Sequence, residues 1–191
     1  GTTAQQNRDY FEGLAQSGEP MLQIDFLTEL FAKAKAHGIH TCLDTSGIMF
    51  PGFPEDGEAT SDITLEKIDR LLDVTDLVML DIKHIRDEDH RKLTGHSNKN
   101  ILAFARYLDQ RKKPVWIRHV LVPERNDKDE YLHRLADFIH TLNNVERVEV
   151  LPYHTLGVFK WEKLGIPYPL EGIRPPEKER VENAERILQA P

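Results

Sequence analysis

The 191-residue sequence has little cysteine, no long hydrophobic run and no basic excess, and each shortage excludes a class of protein. Its single cysteine, Cys42, cannot form an internal disulfide, which favours a reducing compartment. No apolar stretch approaches the length of a membrane span and no secretory signal pattern opens the chain, so we expect no membrane association and a cytoplasmic location. The formal charge of -7 provides no basic surface for phosphates, so we expect no nucleic-acid partner.

What the sequence does contain is a repeated pattern of short apolar runs that end in polar or charged side chains. The runs are HTCLDTSG at 40–47, TDLVMLDIKH at 75–84, VWIRHVLVP at 115–123 and VEVLPYHTLG at 148–157. Apolar residues recur at the helical spacing in the segments 22–36, 64–72, 100–110, 128–142 and 177–188. This alternation predicts an α/β protein with a parallel sheet, open or curved toward a barrel.

The length and the hydrophobic content of 39% predict a single domain over residues 1–191. Residues 1–16 are an atypical amino-terminal segment, in which residues 5–16 predict a helix or loop. Residues 47–62 are rich in proline and then acidic, which predicts a long loop. This loop directly follows a predicted strand, so it is either a lid or partner-docking surface, or a plain surface insertion.

Side chains at the ends of the predicted strands suggest a binding site, because the carboxyl ends of parallel strands meet at one edge of the sheet. We expect Asp44, Thr45, Asp81 and Lys83 to face one mouth there. Carboxylate oxygens suit an alkali or alkaline-earth cation. The alternatives are that the two aspartates cap the next helices or pair with Lys83 and Arg118, and that these cations are solvated charges at the rim.

The four strings, in this order and at these separations, resemble the pyruvate formate-lyase activases, a family of radical S-adenosylmethionine enzymes. GHSN at 95–98 and LGVFKW at 156–161 fit the same pattern, and the resemblance covers roughly residues 17–190. It implies an incomplete parallel β/α barrel. It also implies a 4Fe-4S cluster that reduces S-adenosylmethionine, so that a 5'-deoxyadenosyl radical removes hydrogen from a glycine of the partner. The implied partners are pyruvate formate-lyase and a flavodoxin-type electron donor.

The resemblance assigns two sets of site residues. The residues implied for binding S-adenosylmethionine are Gly18, Glu19, Asp44, Lys83, Arg118, Val120 and His154. The residues implied for a monovalent cation such as potassium are Asp44, Thr45, Met79 and Asp81. Without the resemblance, a single histidine such as His154 is more typical of a structural role.

The sequence departs from this family at its cluster motif. The family's CxxxCxxC motif is absent, and the glycine-rich strand end is replaced by Ser17-Gly18-Glu19-Pro20. A cluster needs several thiolates, and Cys42 is expected to be a core residue, so we predict that this chain holds no cluster and has no catalytic residue of its own. We therefore expect a truncated barrel that lacks its first strands and is inactive alone.

Two other functions fit the same residues. One is an activase of a different glycyl-radical enzyme. The other is a non-catalytic nucleotide-binding or docking module, which the missing cluster motif favours and the retained polar strand ends oppose. Four histidines show no zinc-ligand spacing and predict no zinc site: His84, His90, His96 and His119.

Overall fold

Four strands alternate with helices in the computed structural model, which describes residues 18–52, 63–165 and 167–189. The strands are β1 (Cys42–Thr45), β2 (Leu77–Asp81), β3 (Val115–Leu121) and β4 (Val145–Pro152). They form one sheet in the order β1-β2-β3-β4. β1 runs parallel to β2, with Cys42 beside Leu77 and Thr45 beside Leu80. The predicted α/β class with a parallel sheet is confirmed.

The helices around these strands include all five that the apolar spacing predicted. A 3-10 turn at Pro20–Gln23 leads into α1 (Ile24–Ala36), and the others are α2 (Leu65–Asp73), α3 (Asp87–Thr94), α4 (Lys99–Gln110), α5 (Asp129–Ile139), α6 (Val158–Leu164) and α7 (Lys178–Gln189). Helices α3 and α6 were not predicted. Helix α3 is mostly charged and buries only His90, so it has no apolar repeat to detect. Within the described ranges, none of the helices is long and apolar enough to cross a membrane.

The chain contains two compact units. Of the described residues, 18–52, 63–80 and Asn100–Val115 form the first, and Asp81–Lys99, 116–165 and 167–189 form the second. The single-domain organisation stays a prediction.

The core of the first unit is built from α2, α4 and the start of the predicted long loop. Helix α2 begins after Thr64, whose hydroxyl accepts a hydrogen bond from the Lys67 N–H at 3.3 Å. The Phe50 side chain is fully buried, and its ring lies 5.2 Å from the rings of Phe104 and Tyr107. The first part of the loop is therefore anchored in the core, whereas residues 53–62 of the loop and the segment 1–16 lie outside the described residues.

In the second unit, successive side chains of β3 alternate between a buried and a half-buried face of the sheet. Ile117, His119 and Leu121 are buried, whereas the side chains between them are half-buried. Arg118 and His119 therefore point to opposite faces of the sheet. Helix α5 buries Leu132 and Leu135, and it packs against α7.

Candidate functional site

The first unit contains a buried carboxylate, that of Glu19, which immediately precedes the 3-10 turn. Glu19 is only 5% exposed. Its Oε1 atom accepts hydrogen bonds from the Met21 N–H at 3.1 Å and from the Thr45 hydroxyl at 2.6 Å. Its Oε2 atom accepts two more from Ser46, one from the N–H at 2.9 Å and one from the hydroxyl at 2.6 Å. A carboxylate has about four acceptor positions, so all of them are used inside this unit.

These contacts hold the carboxyl end of β1. The Thr45 hydroxyl also accepts a hydrogen bond from the Gly47 N–H at 3.0 Å, which tightens the turn after the strand. Gly47 has a φ of +72°, and a Cβ atom there would lie 2.8 Å from the Cδ1 atom of Leu80. The turn therefore requires glycine for both its backbone conformation and its packing.

The residues predicted to bind a cation are only partly brought together in the first unit. Asp44 pairs with Met79 in the register of β1 and β2 and is exposed. Thr45 is buried on the opposite face of β1, where its hydroxyl is bonded to Glu19. A cation beside Asp44 could therefore contact Thr45 only through the main chain of Thr45. Gly18 is exposed with a φ of +57°.

In the second unit, Asp81 lies at the end of β2 and contacts two cations. Its Oδ2 atom accepts a hydrogen bond from the Lys83 Nζ atom at 3.0 Å, and its Oδ1 atom accepts one from the Arg118 Nε atom at 2.9 Å. The Asp81, Lys83 and Arg118 side chains are 20%, 37% and 16% exposed. The structure therefore contains the predicted alternative, in which Asp81 pairs with Lys83 and Arg118. We call these three residues the ionic cluster.

The other predicted ligand contacts of the second unit lie on β3 and just beyond β4. Val120 is half-buried on the same face of β3 as Arg118, and its carbonyl accepts a hydrogen bond from the Asn126 Nδ2 atom at 2.8 Å. His154 is exposed, two residues after the end of β4. An exposed imidazole can stack on a base or donate a hydrogen bond to it, so the placement of His154 is compatible with the predicted contact to S-adenosylmethionine.

The second unit also contains the buried histidines His84, His90 and His119. His119 Nδ1 lies 2.7 Å from the Ile82 carbonyl, so Nδ1 carries the hydrogen. Its Nε2 atom is buried with no hydrogen-bond partner among the described residues. Burial lowers the pKa of His119 to about 4, and burial also lowers the pKa of His84 and of His90. These histidines are neutral near pH 7 and belong to the interior of the unit.

Several residues of these arrangements were not predicted from the sequence. Ser46 supplies two of the four hydrogen bonds to Glu19, and Asn98, His119 and Asn126 bind main-chain carbonyls near Lys83. They are common polar residues without a spacing of their own. The only available signal was that Ser46 directly follows a polar strand end.

The side chains described above differ in the ligands that they could bind. Lysine and arginine together suit a carboxylate or vicinal hydroxyl groups, since one is a point charge and the other a planar fork. Across the described residues, no group of three or more His, Cys, Asp or Glu side chains is arranged for a metal ion. One cysteine cannot supply the thiolates of an iron-sulfur cluster, so the chain's own residues do not fit that group.

Comparison with known proteins defines the class. The model of the Radical SAM superfamily matches residues 12–136, more than half of the chain. The chain belongs to this superfamily, and its α/β fold agrees with the incomplete parallel barrel predicted above. The superfamily implies S-adenosylmethionine and a 4Fe-4S cluster as cofactors.

Within the superfamily, the chain is similar to proteins named pyruvate formate-lyase-activating enzyme. It is 55% identical over 171 residues to the one from Streptococcus mutans, covering 90% of this chain and 62% of the relative. It is 52% identical over 172 residues to the one from Listeria monocytogenes, covering 90% and 66%. It is 50% identical over 186 residues to the one from Staphylococcus epidermidis, covering 95% and 71%. The chain thus spans 62% and 66% of the length of the first two relatives.

Two solved structures share the fold. A crystal structure of a domain of pyruvate-formate lyase-activating enzyme from Bacteroides vulgatus aligns with a TM-score of 0.69 at 22% identity, covering 90% of this chain and 88% of that one. A radical SAM methyltransferase from Sphaerobacter thermophilus aligns with a TM-score of 0.52 at 20% identity, covering 81% and 39%. At these identities the likeness concerns the fold alone.

Proposed function

We propose that this chain is the S-adenosylmethionine-binding part of a pyruvate formate-lyase-activating enzyme. The observation that supports this most directly is the ionic cluster, in which Lys83 and Arg118 converge on Asp81 within 3.0 Å and 2.9 Å. It occurs in a chain that is 50% to 55% identical to relatives of that name. The relatives supply the reaction class, and the cluster supplies cationic donors for the ligand.

In this proposal, Lys83 and Arg118 bind the carboxylate or the ribose hydroxyls of S-adenosylmethionine. Both cations are partly exposed, so a ligand carboxylate can share them with Asp81. His154 contacts the adenosyl part, and Val120 adds a main-chain contact or packing. Gly18 and Glu19 approach the amino group, and they do so through the main chain because the Glu19 carboxylate is fully used.

A monovalent cation such as potassium completes the proposed site. Asp44, Thr45, Met79 and Asp81 supply oxygen ligands, which a hard cation prefers. The adjacency of Asp44 and Met79 in the β1–β2 register supports this assignment. A cation there offsets the repulsion between the protein carboxylates and the carboxylate of the ligand.

The whole protein, in this proposal, works in the cytoplasm and installs a glycyl radical on pyruvate formate-lyase. Its 4Fe-4S cluster supplies the electron that cleaves S-adenosylmethionine, and a flavodoxin-type donor reduces the cluster. This chain has one cysteine, so we expect it to bind the ligand without catalysing the reaction.

The test is a calorimetric titration of the chain with S-adenosylmethionine, with and without potassium. Lys83→Met should weaken binding about tenfold or more, because it removes a charge-assisted hydrogen bond. Lys92→Met is the matched control, since Lys92 also lies 3.0 Å from an aspartate of the same unit, Asp89, but is largely exposed. Asp44→Asn should remove the dependence on potassium.

Equal losses of affinity for S-adenosylmethionine in Lys83→Met and Lys92→Met would contradict the assignment of Lys83 to the ligand. Binding that ignores potassium in the parent chain would contradict the cation site alone. An undetectable affinity in the parent chain would contradict the proposal that this part of the enzyme binds S-adenosylmethionine by itself.

The single cysteine also supports a second candidate, a non-catalytic nucleotide-binding or docking module. Adenosine and S-adenosylmethionine separate the two functions. Equal affinity for both ligands would favour a nucleotide module, since Lys83 and Arg118 would then contribute no contact to a carboxylate. An activase of another glycyl-radical enzyme is distinguished by mixing the whole protein with different partner enzymes and recording which one gains a radical signal.

A further inference from the structure

Four successive main-chain carbonyls directly after β2, those of residues 82–85, each accept a hydrogen bond from a side-chain nitrogen. His119 Nδ1 lies 2.7 Å from the first carbonyl, and Asn126 Nδ2 donates to the second, that of Lys83, at 2.8 Å. Asn98 Nδ2 contacts the third and fourth carbonyls at 3.0 Å and 2.8 Å. We call His119, Asn126 and Asn98 the carbonyl clamp.

Asn126 is the member that joins this segment to the end of β3. Its Nδ2 atom donates to the carbonyls of Lys83 and Val120, both at 2.8 Å, and its Oδ1 atom accepts from the Val122 N–H at 2.7 Å. The side chain is 1% exposed. An apolar residue of the same size would leave two carbonyls and one N–H unpaired in the interior, so the amide is chemically required here.

The clamp acts on the main chain that carries Lys83. The lysine side chain is a flexible stem with a terminal charge, so the position of its ammonium depends on where its own backbone is held. The Lys83 backbone lies between β2 and α3, and its carbonyl bond to Asn126 fixes it beside the β3 residues that follow Arg118. The same bond therefore holds the Lys83 backbone beside β3, the strand that carries Arg118.

We propose that Asn126 is a positioning residue that fixes Lys83 for the carboxylate or hydroxyl groups of the ligand. Its assignment to that ligand rests on the proposed function, whereas its hold on Lys83 rests on the hydrogen bonds above. His119 and Asn98 support the same segment from either side.

The test compares Asn126→Asp with Leu135→Val. The aspartate keeps the shape and the acceptor for the Val122 N–H, but it loses both Nδ2 donors and faces two carbonyls with a negative charge. Leu135 is a buried apolar residue on α5 in the same unit, so its truncation lowers stability without changing a hydrogen bond. Asn183→Asp is a second control, since the Nδ2 atom of Asn183 makes one exposed hydrogen bond to Asp129.

The first readout is local and needs no ligand. Amide hydrogen exchange in residues 83–86 and labelling of Lys83 by an amine reagent, scaled to Lys92, should both rise about tenfold in Asn126→Asp, the factor expected when one or two hydrogen bonds are lost. Leu135→Val should leave both rates near those of the parent after correction for its unfolding midpoint. Equal rates in the two variants would overturn the positioning role.

If Asn126→Asp does not fold, His119 provides the alternative comparison. An asparagine amide can replace the Nδ1 donor to the Ile82 carbonyl, whereas leucine cannot. Faster labelling of Lys83 in His119→Leu than in His119→Asn supports the clamp. The same labelling rate in both variants overturns it.

Titration with S-adenosylmethionine then separates the clamp from the proposed function. An affinity that falls about tenfold in Asn126→Asp and stays unchanged in Leu135→Val supports positioning for the ligand. If Asn126→Asp shows faster amide exchange in residues 83–86 but unchanged affinity for S-adenosylmethionine, the role of Asn126 in positioning Lys83 for the ligand is overturned. No binding by the parent chain would contradict the proposed function, while exchange and labelling would still decide whether Asn126 holds Lys83.

Discussion

The two units hold their central carboxylates in opposite ways. Glu19 in the first unit is bound by hydroxyl and N–H groups, whereas Asp81 in the second is bound by an ammonium and a guanidinium. Neutral donors fix a buried carboxylate by geometry and leave no position for another partner. Charged, partly exposed donors can exchange one carboxylate for another. Glu19 therefore anchors the turn after β1, whereas the side chains around Asp81 stay partly accessible to solvent.

The largest expected effect tests the anchor. Glu19→Gln should lower the free energy of unfolding by about 3 kcal/mol, because whichever way the amide is turned, its NH2 group faces donors that the carboxylate had accepted. Glu29→Gln, at an exposed position of α1, should change it by less than about 0.5 kcal/mol. Urea denaturation measures both. If Glu19→Gln lowers the free energy of unfolding no more than Glu29→Gln does, the anchoring role of Glu19 is refuted.

Two glycines with left-handed backbones, one in each unit, should respond differently to the same substitution. Gly47→Ala should cost about 2 to 3 kcal/mol, because a left-handed backbone and a close approach to Leu80 act together. Gly95→Ala, in the second unit at the end of α3, should cost only about 1 kcal/mol, the penalty of the left-handed backbone conformation alone. Gly95 has a φ of +81° but nothing within 4 Å of its Cβ position. Equal losses of stability in denaturation would show that the turn after β1 adapts to the extra methyl group.

Acid should weaken the second unit selectively. The pKa of His119 is lowered from 6.5 to about 4 by burial, so the unfolded chain binds more protons between these values. The stabilisation is complete above about pH 6.5 and is lost as the pH falls toward 4, by about 2 kcal/mol between about pH 7 and about pH 5. Amide exchange in β3 and α5 at the two pH values measures the effect.

Two substitutions serve as controls for this pH effect. His119→Asn keeps a donor for the Ile82 carbonyl and should reduce the pH dependence, leaving only the part that comes from His84 and His90. His133→Asn, at an exposed position of α5, should leave it unchanged. The described histidines of the first unit, His37 and His40, are exposed, so exchange in β1 should change less. An unaltered slope in His119→Asn would mean that other groups cause the acid sensitivity.

The smallest expected effect is on the ionic cluster. Asp81→Asn should lower the free energy of unfolding by about 1 kcal/mol, since both ion pairs are partly exposed. This loss should shrink when salt is raised from about 0.05 M to about 0.5 M, because the Debye length shortens. The loss in Glu19→Gln should not depend on salt. The same salt response in both variants would remove the distinction between the two carboxylates.

The elements that were predicted correctly are those with a local signal. All four strands lie inside the predicted apolar runs or overlap them, and the five periodic helices end within a few residues of their predicted limits. The closeness of Asp81 and Lys83 was also readable, since the two residues are separated by one position at a strand end. Helix α3 was missed because its stability depends on acidic residues in the first turn and on Gly95 at its end, which leave no apolar period.

The sequence alone was enough to predict the four strands, five of the helices, the family and the residue types at the strand ends, because apolar periodicity and strand alternation act between near neighbours. Which polar groups meet depends on the tertiary structure. The Thr45 hydroxyl lies 26 residues from Glu19, and the Asn126 amide lies 43 residues from Lys83. No local pattern encodes such pairs, since each partner satisfies its hydrogen bonds only when the packed core has brought the two segments together.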